Sequence, residues 1–588
     1  MDNNRLILAI ALSVAILLGF ELIMPRHNPA ALRQQASHST QATPPAQQRA
    51  PQIDTAGTQP EAVAPPSGPV RLPIEGTRVK GSIDLVGARL DDLVLRDYHE
   101  TVQQGSPQVR VLEPASDPQP NWVQLGWSDG ADGGVKLPDS HTRWTADHPT
   151  LSTGQPVTLS WNNGAGLTFQ LTFSIDRDYM FAVRQSVRND TGKPVRLYPW
   201  SRVSRGYLPA VTGGYLVHEG PIGVVDGRLQ EMSYKGVQSD SRSNGGDAAW
   251  SAVQPAGRDA AWAGITDKYW LTAVIPSAAS AETASYRYVP NSGAGTWQID
   301  FLAQAPTVVP AGGTASSSSE VFAGAKEVHL LDGYQRSLHI ADFWKAVDFG
   351  WFAFLTRPIF FVLDWLNTQL GNFGLALMAF TLLVKTLFFP LATRSFRSMS
   401  KMKLLAPKMQ SVRERYKDDP MQMNKEMMSL YRSEGVNPAS GCLPMVVQIP
   451  VFWCLYKDLY VTIEMRHAPF FGWIRDLSAP DPSNIFNLFG LIPFDATAIS
   501  SMLHLGFWPI VLGGTMFLQQ RMNPPPPDPT QARLFQMMPI IFTFILARQP
   551  AGLVIYYCWN NLLTVGQQWL IMRSTKLGSG RAARPVQS

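Results

Sequence analysis

One apolar stretch with a lysine in its interior restricts the fold of this chain more than any other feature. Residues 371–394 contain about twenty apolar side chains, enough to cross a bilayer as one helix. Lys385 is the ionisable residue inside the stretch, and Thr381 lies one turn earlier on the same face. A charge at membrane depth usually marks a functional site, although a lysine near a helix end can also extend its stem to the interface.

Five other apolar stretches bring the number of predicted spans to six. The first is interpreted as an uncleaved anchor, with a cleaved signal as the alternative, because no small-residue cleavage site follows it. The third carries Gln448, and Lys457 and Asp458 near its far end are expected to extend outward to the interface. The predicted spans are residues 6–24, 371–394, 443–463, 502–520, 534–546 and 553–572.

A long polar region separates the first two spans. Residues 27–72 lack aromatic side chains and are rich in Pro, Gln and Ala, which predicts a disordered linker. Residues 73–335 alternate apolar and polar side chains and contain no helix-length apolar pattern, which predicts an all-β sandwich domain. Residues 336–370 are aromatic but carry periodic charges, which favours an amphipathic interfacial helix, with a further span as the alternative.

The alternation in the predicted β-domain is clearest on both sides of a turn at Asp176. The alternating apolar residues are Leu167, Phe169, Leu171, Phe173 and Ile175 before the turn, and Tyr179, Phe181, Val183 and Val187 after it. The region has no cysteine, so it is expected to fold without disulfides. The histidines of residues 73–324 show neither metal-ligand spacing nor a nucleophile–base arrangement, so no metal or catalytic site is predicted there; they are His99, His141, His148 and His218.

The placement of positive charge predicts the orientation of the chain. Residues 392–440 contain ten Lys or Arg against five Asp or Glu, and the tail of residues 574–588 is basic without an acid. By the positive-inside rule both segments are cytoplasmic, so both termini are cytoplasmic and the β-domain is external. Helical spacing of methionine in 392–440 predicts a helical hairpin. Its methionines either form an adaptable docking face for a partner or simply contact each other in a solvated hairpin. Candidate docking residues are Arg394, Arg397, Lys401, Lys403, Arg413, Arg415, Arg573 and Lys576.

Polar side chains recur within the predicted spans. Tyr557, Asn561, Thr564 and Gln568 follow helical spacing and form one stripe on the last span. Ordinary hydrogen bonding between helices is one interpretation of the stripe. A polar groove open to the cytoplasm is the other, and its candidate residues are Lys385, Thr381, Gln448, Tyr557, Asn561 and Thr564.

Several segments of the chain carry a family resemblance. They are Gly371-Asn372 and Pro390 around Lys385, MSKMKLLAPKMQSVRERYKDD at 399–419, EMMSLYRSEGVNPASGCLPMVVQIPVF at 426–452, EMRHAPFFGWIRDLSAPDP at 464–482, AGLVIYYCWNNLLTVGQQWLI at 551–571 and WAGITDKYWLTAVIP at 262–276. Through these segments the chain resembles the YidC family of bacterial inner-membrane protein insertases, in its long Gram-negative form. The resemblance covers nearly the whole chain except residues 27–72.

The resemblance implies an insertase, not an enzyme, that folds proteins into the inner membrane, alone or with the Sec translocon. It implies nascent membrane proteins, the ribosome, Sec translocon components and inner-membrane lipids as partners, with no cofactor and no small-molecule substrate. The external domain is expected to be a supersandwich of the sugar-mutarotase type, and residues 371–573 a five-helix insertase core. The resemblance places Lys385 in a hydrophilic groove, with Thr381 and Tyr557 among the substrate-contacting positions. Family members usually have arginine at this position, so the charge is kept here but the planar donor group is lost.

Two other function classes remain open at this point. A small-solute transporter with an external sensor domain would also place polar residues within spans, but such transporters usually show internal repeats and this chain shows none. An enzyme with its site in the β-domain is the third possibility. No nucleotide-binding GxxxxGK[ST] motif is present.

Overall fold

The computed structural model describes residues 71–130, 134–210, 217–417, 419–435, 443–492, 504–523 and 529–581. The predicted anchor of residues 1–26 lies outside these ranges, as do residues 27–70 of the predicted linker, Cys442 and the end of the tail, 582–588. Arg71 and Leu72 were expected in the linker, but both belong to the first strand.

Within these ranges, residues 71–337 form twenty β-strands and two α-helices. The strands are β1 (Arg71–Glu75), β2 (Val79–Asp84), β3 (Arg89–His99), β4 (Gln108–Leu112), β5 (Asn121–Ser128), β6 (Thr145–Ala146), β7 (Leu151–Ser152), β8 (Val157–Asn162), β9 (Leu167–Ile175), β10 (Met180–Asn189), β11 (Val195–Arg205), β12 (Gly220–Val225), β13 (Arg228–Glu231), β14 (Trp250–Gln254), β15 (Trp262–Thr266), β16 (Trp270–Pro276), β17 (Glu282–Val289), β18 (Thr296–Ala303), β19 (Thr307–Val309) and β20 (Thr314–Ala325). The helices are α1 (Tyr234–Ser243) and α2 (Val328–Ser337). No helix was expected at α1, because Tyr234 and Val237 are the only large apolar residues of its buried face.

The strands form two sheets that contribute to one hydrophobic core. One sheet has eleven strands in the order β14-β17-β18-β11-β5-β3-β2-β1-β7, with β19 beside β11 and β4 beside β3. The other has nine strands in the order β13-β12-β15-β16-β20-β10-β9-β8-β6. Neighbouring strands are antiparallel except for β1 and β7, which are parallel.

The predicted alternation is confirmed in β9, where every second residue from Leu167 to Ile175 is buried. The turn from β9 to β10 is closed by Asp176, whose Oδ1 accepts the N–H of Asp178 at 2.8 Å and the N–H of Met180 at 3.1 Å. A short acidic side chain that accepts hydrogen bonds from the following backbone is a common way to close a turn. The turn aligns the buried faces of β9 and β10 on the same side of the sheet.

The core of the sheets extends beyond the expected end of the β-domain at residue 335. Phe343 and Phe349 are fully buried in it, and Val461 and Ile463 join it from a distant part of the chain. The apolar core is therefore continuous from the sheets into the helices described next.

Eight further α-helices and two short 3-10 helices, Ile463–Met465 and Ile485–Gly490, lie in the described part of residues 353–581. The α-helices are α3 (Ala353–Leu370), α4 (Phe373–Leu387), α5 (Phe389–Arg415), α6 (Pro420–Ser433), α7 (Leu443–Val461), α8 (Phe507–Met522), α9 (Pro529–Leu546) and α10 (Ala551–Arg581). The amphipathic helix expected at 336–370 begins only at Ala353, after the short 3-10 helix Phe343–Ala346. α10 continues through Arg581, well past the expected end of the last span.

The apolar stretch around Lys385 is bent, contrary to the prediction of one straight span over 371–394. α4 ends at Leu387, α5 begins at Phe389, and the two helices meet at a bend of 68°. Pro390 lies in the first turn of α5, where its missing N–H is harmless. In a continuous helix the proline ring would clash with the carbonyl of Thr386.

Judged by length and apolar composition, no helix of the described residues qualifies as a membrane span by itself. Taken together as a bent pair, α4 and the part of α5 up to Met402 are long and apolar enough to span a membrane.

Two helices cover the predicted hairpin of 392–440. α5 and α6 are separated by a short break before Pro420, and the side chain of Asp419 caps α6 by accepting the N–H of Gln422 at 3.0 Å. Lys408 on α5 forms an ion pair of 2.7 Å with Glu434 just after α6. These contacts hold the two helices side by side.

Candidate functional site between the helices

A tight turn between α3 and α4 sets the position of the helix that carries Lys385. Gly371 follows α3 with a φ of 66°, a left-handed conformation that glycine adopts without strain. Asn372 caps α4, because its side-chain oxygen accepts the N–H of Leu375 at 3.1 Å. Its side-chain amide also donates to the carbonyl of Pro469 at 3.2 Å, which ties the turn to the segment after α7.

Lys385 is half-buried, and its ammonium group joins α4 to α10. Nζ of Lys385 donates to Oγ1 of Thr564 at 2.8 Å. The Thr564 hydroxyl donates its own proton to the carbonyl of Asn560 at 2.7 Å, so its oxygen is left to accept from the lysine. Among the described residues no carboxylate forms an ion pair with Lys385. A neutral hydroxyl therefore holds this positive charge between apolar helices.

The other buried polar residues of the α10 stripe bind α8 and the segment after it. Asn561 donates from Nδ2 to Oγ1 of Thr515 at 3.3 Å. Gln568 donates from Nε2 to the carbonyl of Met522 at 3.2 Å and to Oδ1 of Asn523 at 3.3 Å. These two stripe residues make ordinary hydrogen bonds between structural elements, whereas Thr564 is the stripe residue that meets Lys385.

The remaining predicted groove residues have partners other than Lys385. Thr381 is buried and donates its hydroxyl proton at 2.6 Å to a carbonyl of its own helix. Gln448 on α7 donates from its side-chain amide to the hydroxyl of Tyr556 on α10. The ring of Tyr557 lies 4.8 Å from the ring of Phe452, centre to centre. α7 therefore meets α10 about two turns before Thr564 along α10.

Three residues of this site were missed by the sequence prediction. Tyr556 receives the hydrogen bond of Gln448, and Thr515 receives that of Asn561. Asn560 lies beside the stripe, and its Oδ1 is buried without a hydrogen-bond partner among the described residues. A polar residue inside an apolar span is the sequence signal that could have identified these positions. Tyr556 and Asn560 each directly precede a residue of the stripe, and adjacent residues point in different directions on a helix, so a search along one face leaves them out.

The candidate docking residues lie mainly on exposed surface. Arg394, Arg397, Lys401 and Arg415 are exposed along α5, and Arg413 is half-exposed. Arg573 on α10 is exposed, with its guanidinium 5.3 Å from the centre of the Trp569 ring. Lys403 and Lys576 lie within α5 and α10.

Lys457 and Asp458 do not extend outward to the interface, so that prediction was wrong. Lys457 is buried, with Nζ 3.0 Å from Oδ2 of Asp348 and 3.2 Å from its backbone carbonyl. The same carboxylate oxygen accepts the N–H of His218 at 3.1 Å. Asp458 is fully buried. The physical reason is that α7 ends against the β-domain, so this part of the helix has no open interface beside it.

Two of the segments that carry the family resemblance meet at this junction. Arg466, from 464–482, donates to the carbonyl of His99 at 2.7 Å and lies 5.3 Å from the ring centre of Trp270, from 262–276. Lys268 lies 3.9 Å from the ring centre of Tyr460. Burial lowers the pKa of Lys268 to about 8.

Glu464 links the end of α7 to the first residue of α2. Its Oε1 accepts the N–H of Val328 at 2.8 Å, and burial raises the pKa of Glu464 to about 7. The N-terminus of α2 thus receives its capping carboxylate from the other side of the junction.

In the part of the chain that the structure describes, no three His, Cys, Asp or Glu residues are arranged to hold a metal ion. His99, His141, His148 and His218 are separated over the β-domain, and His218 approaches the carbonyl of Pro221 at 3.0 Å through Nε2. The described cysteines, Cys454 and Cys558, are free and buried.

The fold and the site define a class: a protein whose apolar helices are joined by polar side chains and packed against a large β-sheet domain. The family model described as 60Kd inner membrane protein matches residues 365–578, and the model of the YidC periplasmic domain matches residues 71–362. The chain belongs to the YidC family of membrane protein insertases and is an inner membrane protein with a mostly β-sheet periplasmic domain.

Two relatives support this assignment by sequence identity along most of the chain. The membrane protein insertase YidC of Granulibacter bethesdensis is 57% identical over 580 residues, covering 98% of this chain and 99% of that protein. The Acidiphilium cryptum insertase is 52% identical over 88% of this chain and 86% of its own. A crystal structure of active YidC insertase with its first transmembrane domain resolved is 17% identical, with a TM-score of 0.36, over 85% of this chain and 92% of that one. The prediction of an insertase rather than an enzyme is confirmed by the family assignment.

Proposed function

We propose that this insertase works through a hydrophilic groove between α4 and α10, open to the cytoplasm, in which Lys385 meets the client protein. The observation that carries the proposal is the 2.8 Å hydrogen bond from Lys385 to Thr564, with no ion pair to Lys385 among the described residues. A positive charge without a counter-charge is costly between apolar helices, and its presence is explained if it acts on a client.

The chemistry of the contact favours acidic client segments. A client carboxylate would replace the neutral acceptor, Thr564, with an ionised acceptor, and a hydrogen bond between two opposite charges is stronger. The polar part of the client would then rest against Lys385 and α10 instead of hydrocarbon. Its apolar part would leave along the exposed apolar face of α4, which includes Leu382, Leu383 and Leu387. Transfer of that apolar segment into lipid supplies the driving force, because apolar residues are more stable there than in water.

The proposed organisation follows the sequence prediction where the structure is compatible with it. We propose a transmembrane anchor at 1–26, a linker to residue 70, and six spans with both termini in the cytoplasm. The β-domain is proposed to be a supersandwich, and α3 an interfacial helix. The bend after α4 supports this topology, because it turns the basic helix α5 away from the apolar direction of α4. Sec translocon components and the ribosome are the proposed partners.

A crosslinking map tests the groove. A photoreactive residue at Tyr557 should trap an arrested, single-span nascent client, because the family resemblance implies that this position contacts the client. The same probe at Leu562, which is exposed on the other side of α10, is the matched control and should trap the client much less. Equal yields at both positions would contradict the groove. Protection that depends on a small solute instead of a client would favour the transporter interpretation.

Ribosome binding should depend steeply on salt. The exposed basic residues of α5 and the residues after Met572 attract ribosomal RNA, and phosphate contacts weaken as salt releases the bound counterions. Co-sedimentation of the purified protein with ribosomes should fall as salt rises, and fall further when the chain ends at Met572. A chain that ends at Arg581 is the control, because it keeps Arg573 and Lys576. Binding that is indifferent to salt would contradict an electrostatic contact.

A further inference from the structure

The strand β14 leaves one edge of the eleven-stranded sheet open. Six strands pair with one other strand among the described residues: β14, β7, β4 and β19 in one sheet, and β13 and β6 in the other. β4 carries Arg110, and β19 has three residues. β6 and β7 have two residues each, and β13 carries Arg228 and Glu231 in its four residues. β14 has five residues, WSAVQ, with no charge and no proline. Among the described residues it pairs only with β17.

An edge of this kind is unusual, because natural edge strands carry charges, prolines or bulges that prevent pairing with another chain. The register of β14 with β17 is regular over all five residues, from Trp250 opposite Tyr286 to Gln254 opposite Glu282. The Trp250 ring lies 4.7 Å from the Tyr286 ring and holds the strand in place. Ser251 and Val253 are exposed.

The five residues of β17 that pair with β14 add no charge at neutral pH, and Arg287, the next residue of β17, lies beyond them. Glu282 faces Gln254 across the pair, and burial raises the pKa of Glu282 to about 8, which keeps its carboxyl group mostly neutral. The paired segment is therefore regular in register and uncharged, and the outward backbone groups of β14 are suited to bind another strand.

We propose that β14 binds an extended, uncharged segment of the client's external chain as an added strand of the periplasmic sheet. This rests on the proposed function, which places the β-domain on the side where client segments emerge unfolded. Recognition through backbone groups depends little on side-chain sequence, which suits a protein with many clients.

A second copy of the chain is a less suitable occupant. Five residues span about 17 Å, and pairing of two such edges would bury far less than the roughly 1,200 Å² of a stable specific interface. A short added strand fits a transient contact with a client that is released after insertion.

Crosslinking from the edge tests this proposal in the full-length protein. A photoreactive residue replaces Ser251, and membrane vesicles are supplied with an arrested single-span client whose external segment is long and uncharged. We expect crosslinks to that external segment. Val253→Lys should lower their yield about fivefold, because a lysine on an edge strand opposes added pairing. Val253 is 43% exposed, so the lysine can be accommodated without disrupting the core.

Val308→Lys is the matched control, because Val308 is 51% exposed in β19 of the same sheet and should leave the yield unchanged. Crosslinks to a second copy of the chain, no crosslink to the client, or equal losses from both lysine variants would overturn the proposal. Protease protection of the client, measured in the same vesicles, reports insertion separately. If the crosslinking map contradicts the groove while crosslinks from residue 251 persist, the proposed function is refuted and the strand contact remains supported.

Discussion

Replacing Lys385 by glutamate should reduce insertion of clients with acidic external segments by about tenfold or more, because reversing one charge changes the interaction by at least the ~1.4 kcal/mol that a factor of ten represents. Lys385→Leu should leave the protein folded but impair the same clients, since the charge is lost and not reversed. Lys385→Arg should retain activity, because the charge and the reach to Thr564 both survive.

The measurement is protease protection of a single-span client in cells that carry each variant as their only copy. Lys193→Glu is the matched control, since it makes the same reversal at an exposed turn of the β-domain and should not affect insertion. If Lys385 served only as a buried charge without a client, Lys385→Leu would be harmless or stabilising. Equal insertion by the wild-type, Leu and Glu proteins would rule out the charged-groove role.

The substitution Arg202→Met should lower the free energy of unfolding of the β-domain by about 3–5 kcal/mol, because it leaves a buried carboxylate without its partner. Arg202 and Asp300 are each only 2% exposed and lie directly opposite each other on β11 and β18. Two hydrogen bonds of 2.5 and 3.1 Å join the guanidinium to both oxygens of the carboxylate. Methionine cannot supply either bond.

Urea unfolding of the full-length protein in detergent micelles, followed by tryptophan fluorescence, measures this loss. Arg188→Met is the control, because the ion pair of Arg188 with Asp190 is largely exposed and should contribute less than about 1 kcal/mol. The double variant Arg202→Met, Asp300→Leu should recover most of the loss, since no unpaired charge remains. A loss from Arg202→Met no larger than that from Arg188→Met would contradict the burial argument.

Local patterns in the sequence were sufficient for several elements. The alternation of Leu167 to Ile175 predicted β9, because a strand with one face against a core buries every second residue. Helical spacing with a break before Pro420 predicted the pair α5 and α6. α1 was missed, because a ten-residue helix with two large apolar contacts has too weak a period to stand out among strands.

The bend beside Lys385 illustrates where a local pattern becomes ambiguous. Pro390 marks a helix boundary, but a proline is compatible with a kink inside one span as well as with a turn between two helices. Apolar composition on both sides favoured one span. The structure shows two helices that meet at 68°, an angle that apolar composition does not indicate.

By itself, the sequence determined the class of protein, the β and helical regions, and the position of Lys385 as a charge within an apolar stretch, since these depend on composition and on periods of a few residues. Only the tertiary structure decided which groups these residues meet. Thr564 lies 179 residues from Lys385, and Asp348 lies 109 residues from Lys457. The physical reason is that hydrogen bonds and ion pairs act over a few ångströms in space, and the packing of helices and sheets brings together side chains that are remote in the chain.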